Sequence, residues 1–163
     1  MQKIVLFLFI TLCAGLLLTN MYTSIVDAPA WSADIPQSLE ATKEHYSVTN
    51  PGTFFRIFSP ANQFMAFLTL IFFWHTSKRV RLFFGLALVL VVLADVMTFT
   101  YFYPRNAILF EGPLTDRGML QRVSDEWETM NWVRSLIVLA GLVCAFLGLD
   151  EVYRKERQPV LDM

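Results

Sequence analysis

Residues 82–103 read LFFGLALVLVVLADVMTFTYFY, an apolar run broken by one charge, Asp95. An α-helix needs about 20 apolar residues to cross a hydrocarbon core of about 30 Å, and this stretch has that length. Its apolar residues do not alternate with period two, as those of a membrane β-strand would. In lipid only helices and closed barrels satisfy their backbone groups, so the run is read as a membrane helix. Working outward, three more apolar blocks appear at 4–26, 60–76 and 131–149. The whole chain is 55% hydrophobic and only 17% charged, with a mean hydropathy of +0.48, above the range of an ordinary soluble domain. The expected fold is all-α: an integral membrane four-helix bundle, a single four-span domain over residues 1–163, with two structured extracytoplasmic loops.

The first block could be a cleaved signal, since Lys3 precedes its apolar core. Cys13 follows Ile10, Thr11 and Leu12 where a lipoprotein-type site would want small residues. The segment after Leu18 is no clear small-x-small site either, so retention as a membrane helix is expected. Orientation follows from Lys and Arg in the connections. Lys3 falls on one side with Lys78, Arg79 and Arg81, and with Arg154, Lys155 and Arg157. That side is expected to be cytoplasmic, with both termini there and the protein multi-pass in a plasma membrane of the bacterial inner-membrane type. A net charge of −1 gives no reason to expect nucleic acid as a partner.

Cys13 and Cys144 both sit inside apolar blocks, and no Cys-x-x-Cys is present. His45 and His75 fall at opposite ends of the molecule, too few and too far apart for one metal or haem from facing helices. No metal and no cofactor are expected. In the first connection Ser38–Tyr46 reads as a short polar helix and Asn50-Pro51-Gly52 as a turn. Thr53–Phe58 reads as an aromatic interfacial stretch, and Ser59-Pro60 as the cap and first turn of the second membrane helix; that block is short, and is expected to be completed by Phe54, Phe55, Ile57 and Phe58 upstream, by a tilt, or by His75 and Thr76 reaching the headgroups. In the second connection a helix resumes near Asp116 and runs into the fourth span.

The chemistry lies in polar residues that lipid penalises. Asp95 is about 12 Å from the outer end of its helix at the α-helical rise. A carboxylate at such a depth costs on the order of 3 kcal/mol, so it must face the bundle and find a partner or a proton. Arg134 is the expected partner. Trp127, Asn131 and Arg134 are spaced four and three apart, which makes one helical face. Asn62 and Gln63 on the second helix, Asn20, Thr23 and Ser24 on the first, and Thr98, Tyr101 and Tyr103 on the third lie in the same outer half. The inner halves are almost wholly Leu, Val, Phe and Ala. Such polar groups can be interhelical glue as well as a site, and Arg134 could reach the outer headgroups.

The four-span plan, the segment Tyr103-Pro104-Arg105-Asn106 with Leu109, and the spacing Trp127-x-x-x-Asn131-x-x-Arg134 resemble the anthrone oxygenase-like family of small membrane proteins. The resemblance implies cofactor-independent oxidation of an electron-rich aromatic, with Asn106, Asn131 and Arg134 at the matching motif positions. The residues fit such chemistry with Asp95 as base and Arg134, Asn131 and Asn62 holding an anion. Asn20, Asn62, Thr98, Tyr101, Asn106 and Trp127 are the candidate substrate contacts, with Phe99 and Phe102 stacking alongside. The partners expected are a lipophilic or aromatic small molecule and membrane lipids, with a homo-oligomer or a second membrane protein as further options. The competing classes are a non-catalytic binder of lipid or quinone and an accessory membrane subunit.

Overall fold

The computed structural model describes residues 1–161. Among them every regular element is helical. Helix α1 (Gln2–Tyr22) passes through a π-helical turn (Thr23–Asp27) into α2 (Ala28–Ser32), and α3 (Gln37–His45) follows. Helix α4 spans Pro51–Phe72 and α5 spans Lys78–Met97. After α5 come a π turn (Thr98–Phe102), the short α6 (Tyr103–Asn106) and another π turn (Ala107–Glu111). Helix α7 then runs from Arg117 to Leu161.

The long helices close a ring in which α1 packs on α4, α4 on α5, α5 on α7, and α7 back on α1. The end that carries the α4–α5 hairpin is apolar inside, with Leu6, Phe9, Cys13, Phe84, Ala87, Ala145 and Val152 buried. Lipid offers helices no hydrophobic drive to associate, so close backbone approach at small residues matters. Gly141 and Gly148 supply it on α7: a Cβ at Gly148 would fall 2.3 Å from the ring of Phe84. Three helical stretches, Gln2–Ser32, Lys78–Glu111 and Arg117–Arg157, are long and apolar enough to cross a membrane. The 22-residue α4 is not in that set, because Arg56, Asn62 and Gln63 dilute its apolar content.

The second long helix starts before the expected Ser59-Pro60 cap and takes in Phe54, Phe55, Ile57 and Phe58, the upstream completion that the short apolar block called for. It begins at Pro51, with Asn50 in the extended N-cap position, and Pro60 lies inside it. Asn50-Pro51 and Ser59-Pro60 both offer a cap followed by proline, and the earlier pair starts the helix. An internal proline costs one backbone hydrogen bond, whereas starting the helix at residue 60 would leave residues 51–59 without their helical hydrogen bonds. The aromatic stretch Thr53–Phe58 is therefore the first part of α4 rather than a separate interfacial segment.

At the opposite end the two long connections fold over the bundle as a cap with its own core of Trp31, Ile35, Leu39, Phe102, Leu109, Leu120 and Trp127. Trp127 meets Trp31 edge to face at 5.0 Å and Phe102 at 5.2 Å. The short polar helix expected over Ser38–Tyr46 is α3. The expected restart at Asp116 is also present: its carboxylate accepts from the Met119 amide at 2.9 Å and caps α7.

Candidate functional site

Between the apolar core and the aromatic cap lies a layer of buried polar side chains drawn from all four long helices. Its centre is Arg134 on α7, only 6% exposed. One guanidinium nitrogen, Nη2, donates to Asn20 Oδ1 on α1 at 2.9 Å and to Asn131 Oδ1 at 2.5 Å; the other, Nη1, donates to Thr98 Oγ1 at 3.2 Å. The Phe102 ring lies 4.1 Å from the guanidinium carbon and Phe55 lies at 5.5 Å, distances at which a cation is attracted to an aromatic face. Asn131, fully buried, donates in turn to the Asn20 carbonyl at 3.0 Å and to Ser24 Oγ at 2.7 Å. The three-residue spacing of Asn131 and Arg134 places both on the face that α7 turns to α1, which is why one helix can supply both donors.

The expected ion pair between Asp95 and Arg134 is not formed. The ion pairs seen lie elsewhere and include Lys3–Glu156, Arg105–Glu126 and Arg117–Asp34. Asp95 Oδ2 instead accepts from Gln63 Nε2 on α4 at 2.5 Å. The physical reason is that Arg134 is already taken up by neutral oxygens on α1, on the π turn after α5 and on its own helix, while Gln63 on α4 reaches the carboxylate. Acid and base thus face the same space without touching. That space is a cavity of about 20 Å³ lined by Asn20, Phe55, Asn62, Asp95, Thr98 and Arg134, among others. Two buried polar atoms of residues that line it have no partner, Arg134 Nε, a donor, and Asn62 Oδ1, an acceptor. Buried polar groups are rarely left unsatisfied, so both mark a place where a polar ligand atom or a water is wanted.

The structure thus brings Asn20, Asn62, Asp95, Thr98, Asn131 and Arg134 together and leaves three expected contacts elsewhere. Trp127 donates its indole N–H to Asn106 Oδ1 at 2.8 Å. The Tyr101 hydroxyl donates to the Glu126 carbonyl at 3.3 Å, and its ring lies 3.5 Å from the Arg105 guanidinium carbon. Tyr101, Asn106 and Trp127 hold the aromatic cap onto α7 and do not line the cavity. Phe99 is 63% exposed on the outside of the bundle, whereas Phe102 is buried against Arg134. Phe55, Ser59 and Gln63 line the cavity without having been assigned to the site. Phe55 and Ser59 were read as interface and cap, and only the longer α4 carries them inward. No group of three or more His, Cys, Asp or Glu side chains that could hold a metal occurs among the described residues.

The sequence profile of a family described as Anthrone oxygenase matches residues 54–144. The match opens beside Phe55 on α4 and closes on α7 beyond Arg134, so it takes in every residue of the polar layer except those of α1. No curated protein and no solved structure matches.

Proposed function

The chain belongs to the anthrone oxygenase family, and from that premise we propose that it is a membrane-embedded oxygenase acting on a lipophilic, anthrone-type aromatic at the Asp95–Arg134 cavity. In this reading α4 is a fourth span, the basic α4–α5 hairpin and both termini are cytoplasmic, and the polar layer lies in the outer half of the membrane. The observation that carries the proposal is a buried guanidinium with no carboxylate partner, facing an acid across an unfilled space. A purely structural Arg would be expected to close onto Asp95, because an unpaired buried charge is costly.

A substrate of this class has a methylene group between two rings, opposite a ring carbonyl. Asp95 removes one methylene proton, and the negative charge spreads to the carbonyl oxygen. Arg134 stabilises that oxyanion through its free Nε–H, and Asn62 Oδ1 accepts from a ring hydroxyl. Such preorganised donors act strongly where water is excluded. The carbanion passes an electron to dioxygen, the two radicals join as a C–O bond, and the peroxide anion so formed takes back the proton held by Asp95; the hydroperoxide then loses its remaining ring-carbon hydrogen and a hydroxyl as water to leave a second carbonyl. One oxygen atom of dioxygen ends in the product and the other in water. No cofactor is required by this balance.

A cavity of about 20 Å³ suits a water or a dioxygen molecule rather than a ring system. The aromatic must enter by displacing Phe55, whose ring holds the place beside the guanidinium that a bound ring would take. Pro60 lies five residues further along α4 and leaves a backbone carbonyl free at the preceding turn, which eases movement of that end of the helix.

The test is oxygen uptake and quinone absorbance with anthrone as substrate, using purified protein in lipid nanodiscs. Turnover above the uncatalysed rate is expected, unaffected by a chelator. Asp95→Asn should lower it by a factor of about 100 or more, the range of a lost general base. Wild-type protein that shows no turnover yet carries lipid through purification would point to the non-catalytic binder instead.

A further inference from the structure

On the outside of the bundle an apolar stripe along α5 runs directly into a pair of cations. Leu82, Leu86, Val89 and Leu93 are all exposed, and their spacing of four, three and four residues puts them on one face of the helix. Lys78 and Arg79, also exposed, stand four and three residues before Leu82 and so continue the same face. Gly85 lies beside the stripe, and a Cβ there would meet nothing within 4 Å, which leaves the face notched. From residue 79 to residue 93 the helix rises about 21 Å, about the depth of one leaflet with its headgroups.

The charges at this end are not answered by the protein's own acids. Of the described carboxylates nearby on α7, Glu156 accepts from Lys3 at 2.8 Å and Glu151 is buried, which leaves Asp150 at the surface. Among the described residues neither Lys78 nor Arg79 is in an ion pair. Helix α7 instead adds cations. Phe84 lies against Gly148, and Val80 and Val152 share one core, so the start of α5 and the last turns of α7 end together, with Arg154 and Arg157 exposed there. The Arg81 guanidinium carbon stands 4.9 Å from the ring of the exposed Trp74, an aromatic of the kind that sits at headgroup level.

We propose that this face of α5 binds an anionic phospholipid, its phosphate held by Lys78 and Arg79 and one acyl chain laid along Leu82, Leu86, Val89 and Leu93. Head and chain must belong to one molecule, because the cations end where the apolar stripe begins. A soluble polyanion would meet the charges and leave the stripe uncovered. A zwitterionic lipid would cover the stripe but bring its own ammonium group to the cations. Arg154 and Arg157 add attraction for a negative headgroup without needing to touch it. The site lies outside the bundle and does not depend on the chemistry at Asp95; in the orientation proposed above it belongs to the inner leaflet.

The experiment is electron spin resonance of chain-labelled phosphatidylglycerol and, separately, chain-labelled phosphatidylcholine in phosphatidylcholine vesicles that contain the full-length protein. The motionally restricted fraction of each label gives its relative association with the protein. Phosphatidylglycerol should associate more strongly by about threefold or more, and the preference should shrink at high salt, a measurement on wild-type protein that no folding defect can mimic. Lys78→Gln combined with Arg79→Gln should remove most of the preference. Arg117→Gln combined with Arg122→Gln, at the opposite end, should keep it, and helical circular dichroism checks that both variants fold. Equal association of the two lipids with wild-type protein would overturn the proposal, as would a preference retained in the Lys78–Arg79 variant or lost equally in the Arg117–Arg122 variant. Displacement of the labelled phosphatidylglycerol by millimolar glycerol phosphate would identify a site for free phosphate and overturn it too. None of these outcomes bears on anthrone turnover, so this proposal and the oxygenase reading stand or fall separately.

Discussion

Gln63 and Asp95 are joined across the α4–α5 contact by a hydrogen bond of 2.5 Å, while Arg134, on the other side of the same cavity, is bonded to neutral oxygens. A double-mutant cycle should therefore find its coupling between residues 63 and 95. With Gln63→Leu and Asp95→Asn the interaction energy is expected at about 1–2 kcal/mol, the worth of a buried bond to a charged or neutral acid. The cycle of Asp95→Asn with Arg134→Gln should give a smaller value. Reversible unfolding in mixed micelles measures both, and a larger second coupling would show that acid and guanidinium pair directly.

Asn131 and Asn106 were both expected at the site, Asn131 holding an anion and Asn106 contacting the substrate, and the structure places them apart. Asn131 is fully buried and serves Asn20, Ser24 and Arg134 at once. Asn131→Leu should cost about 3 kcal/mol, because several buried groups lose partners together. Asn106 meets Trp127 in the cap, so Asn106→Ala should cost about 1 kcal/mol and leave turnover unchanged. Equal losses of activity in the two variants would place Asn106 at the site after all.

Phe55 occupies the entry beside Arg134. Phe55→Ala should lower the KM for anthrone while leaving kcat within a factor of about two, since it removes a displacement cost and not a chemical group. Steady-state kinetics in nanodiscs decide the matter. An unchanged KM would mean that the ring enters by another route.

How much of this was legible beforehand depends on what penalty the sequence exposes. Asp95, Asn131 and Arg134 declare themselves because polar groups inside apolar runs must be answered by other polar groups, whatever the details of packing. Their partners do not declare themselves. Whether Asp95 meets Gln63 or Arg134 turns on the rotation of α4 against α5, and no periodicity in α4 reports that. The start of α4 was ambiguous for a local reason, two cap-and-proline pairs nine positions apart. Tyr101 fell outside the cavity because it lies in the π turn before α6, and such turns leave no mark in composition.

Packing along α5 and α7 offers a control remote from the buried cavity. A methyl group at position 148 would meet the Phe84 ring, which is 1% exposed and has no room to swing. Gly148→Ala should destabilise the bundle by about 1–3 kcal/mol, the usual cost of overpacking. Anthrone KM should be unchanged in the protein that folds. A neutral Tm would mean that the two helices separate more easily than their close approach implies.

Orientation can be read by labelling. A cysteine introduced at Ser77, beside the basic hairpin, should react with an impermeant maleimide only after the membrane is opened, and one at Thr115 should react in intact cells. The native thiols add little background, Cys13 being buried and Cys144 lying within α7. The reverse pattern would put the polar layer and the aromatic cap on the inner side.

The π turn at Thr98–Phe102 makes chain length a variable in its own right. Such a turn is an α-helix carrying one residue too many, so everything beyond it is rotated by about 100° from where an unbroken helix would leave it. Thr98 faces Arg134 on one side of that offset, while Tyr101 and Asn106 reach α7 through and beyond it. A lineage that lost a single residue there would keep its hydropathy and could keep every one of these side chains, yet aim the cap and the polar layer at different neighbours. A gap in an alignment at 98–102 is therefore a change of architecture, whereas one in the loop at 112–116 alters only a connection.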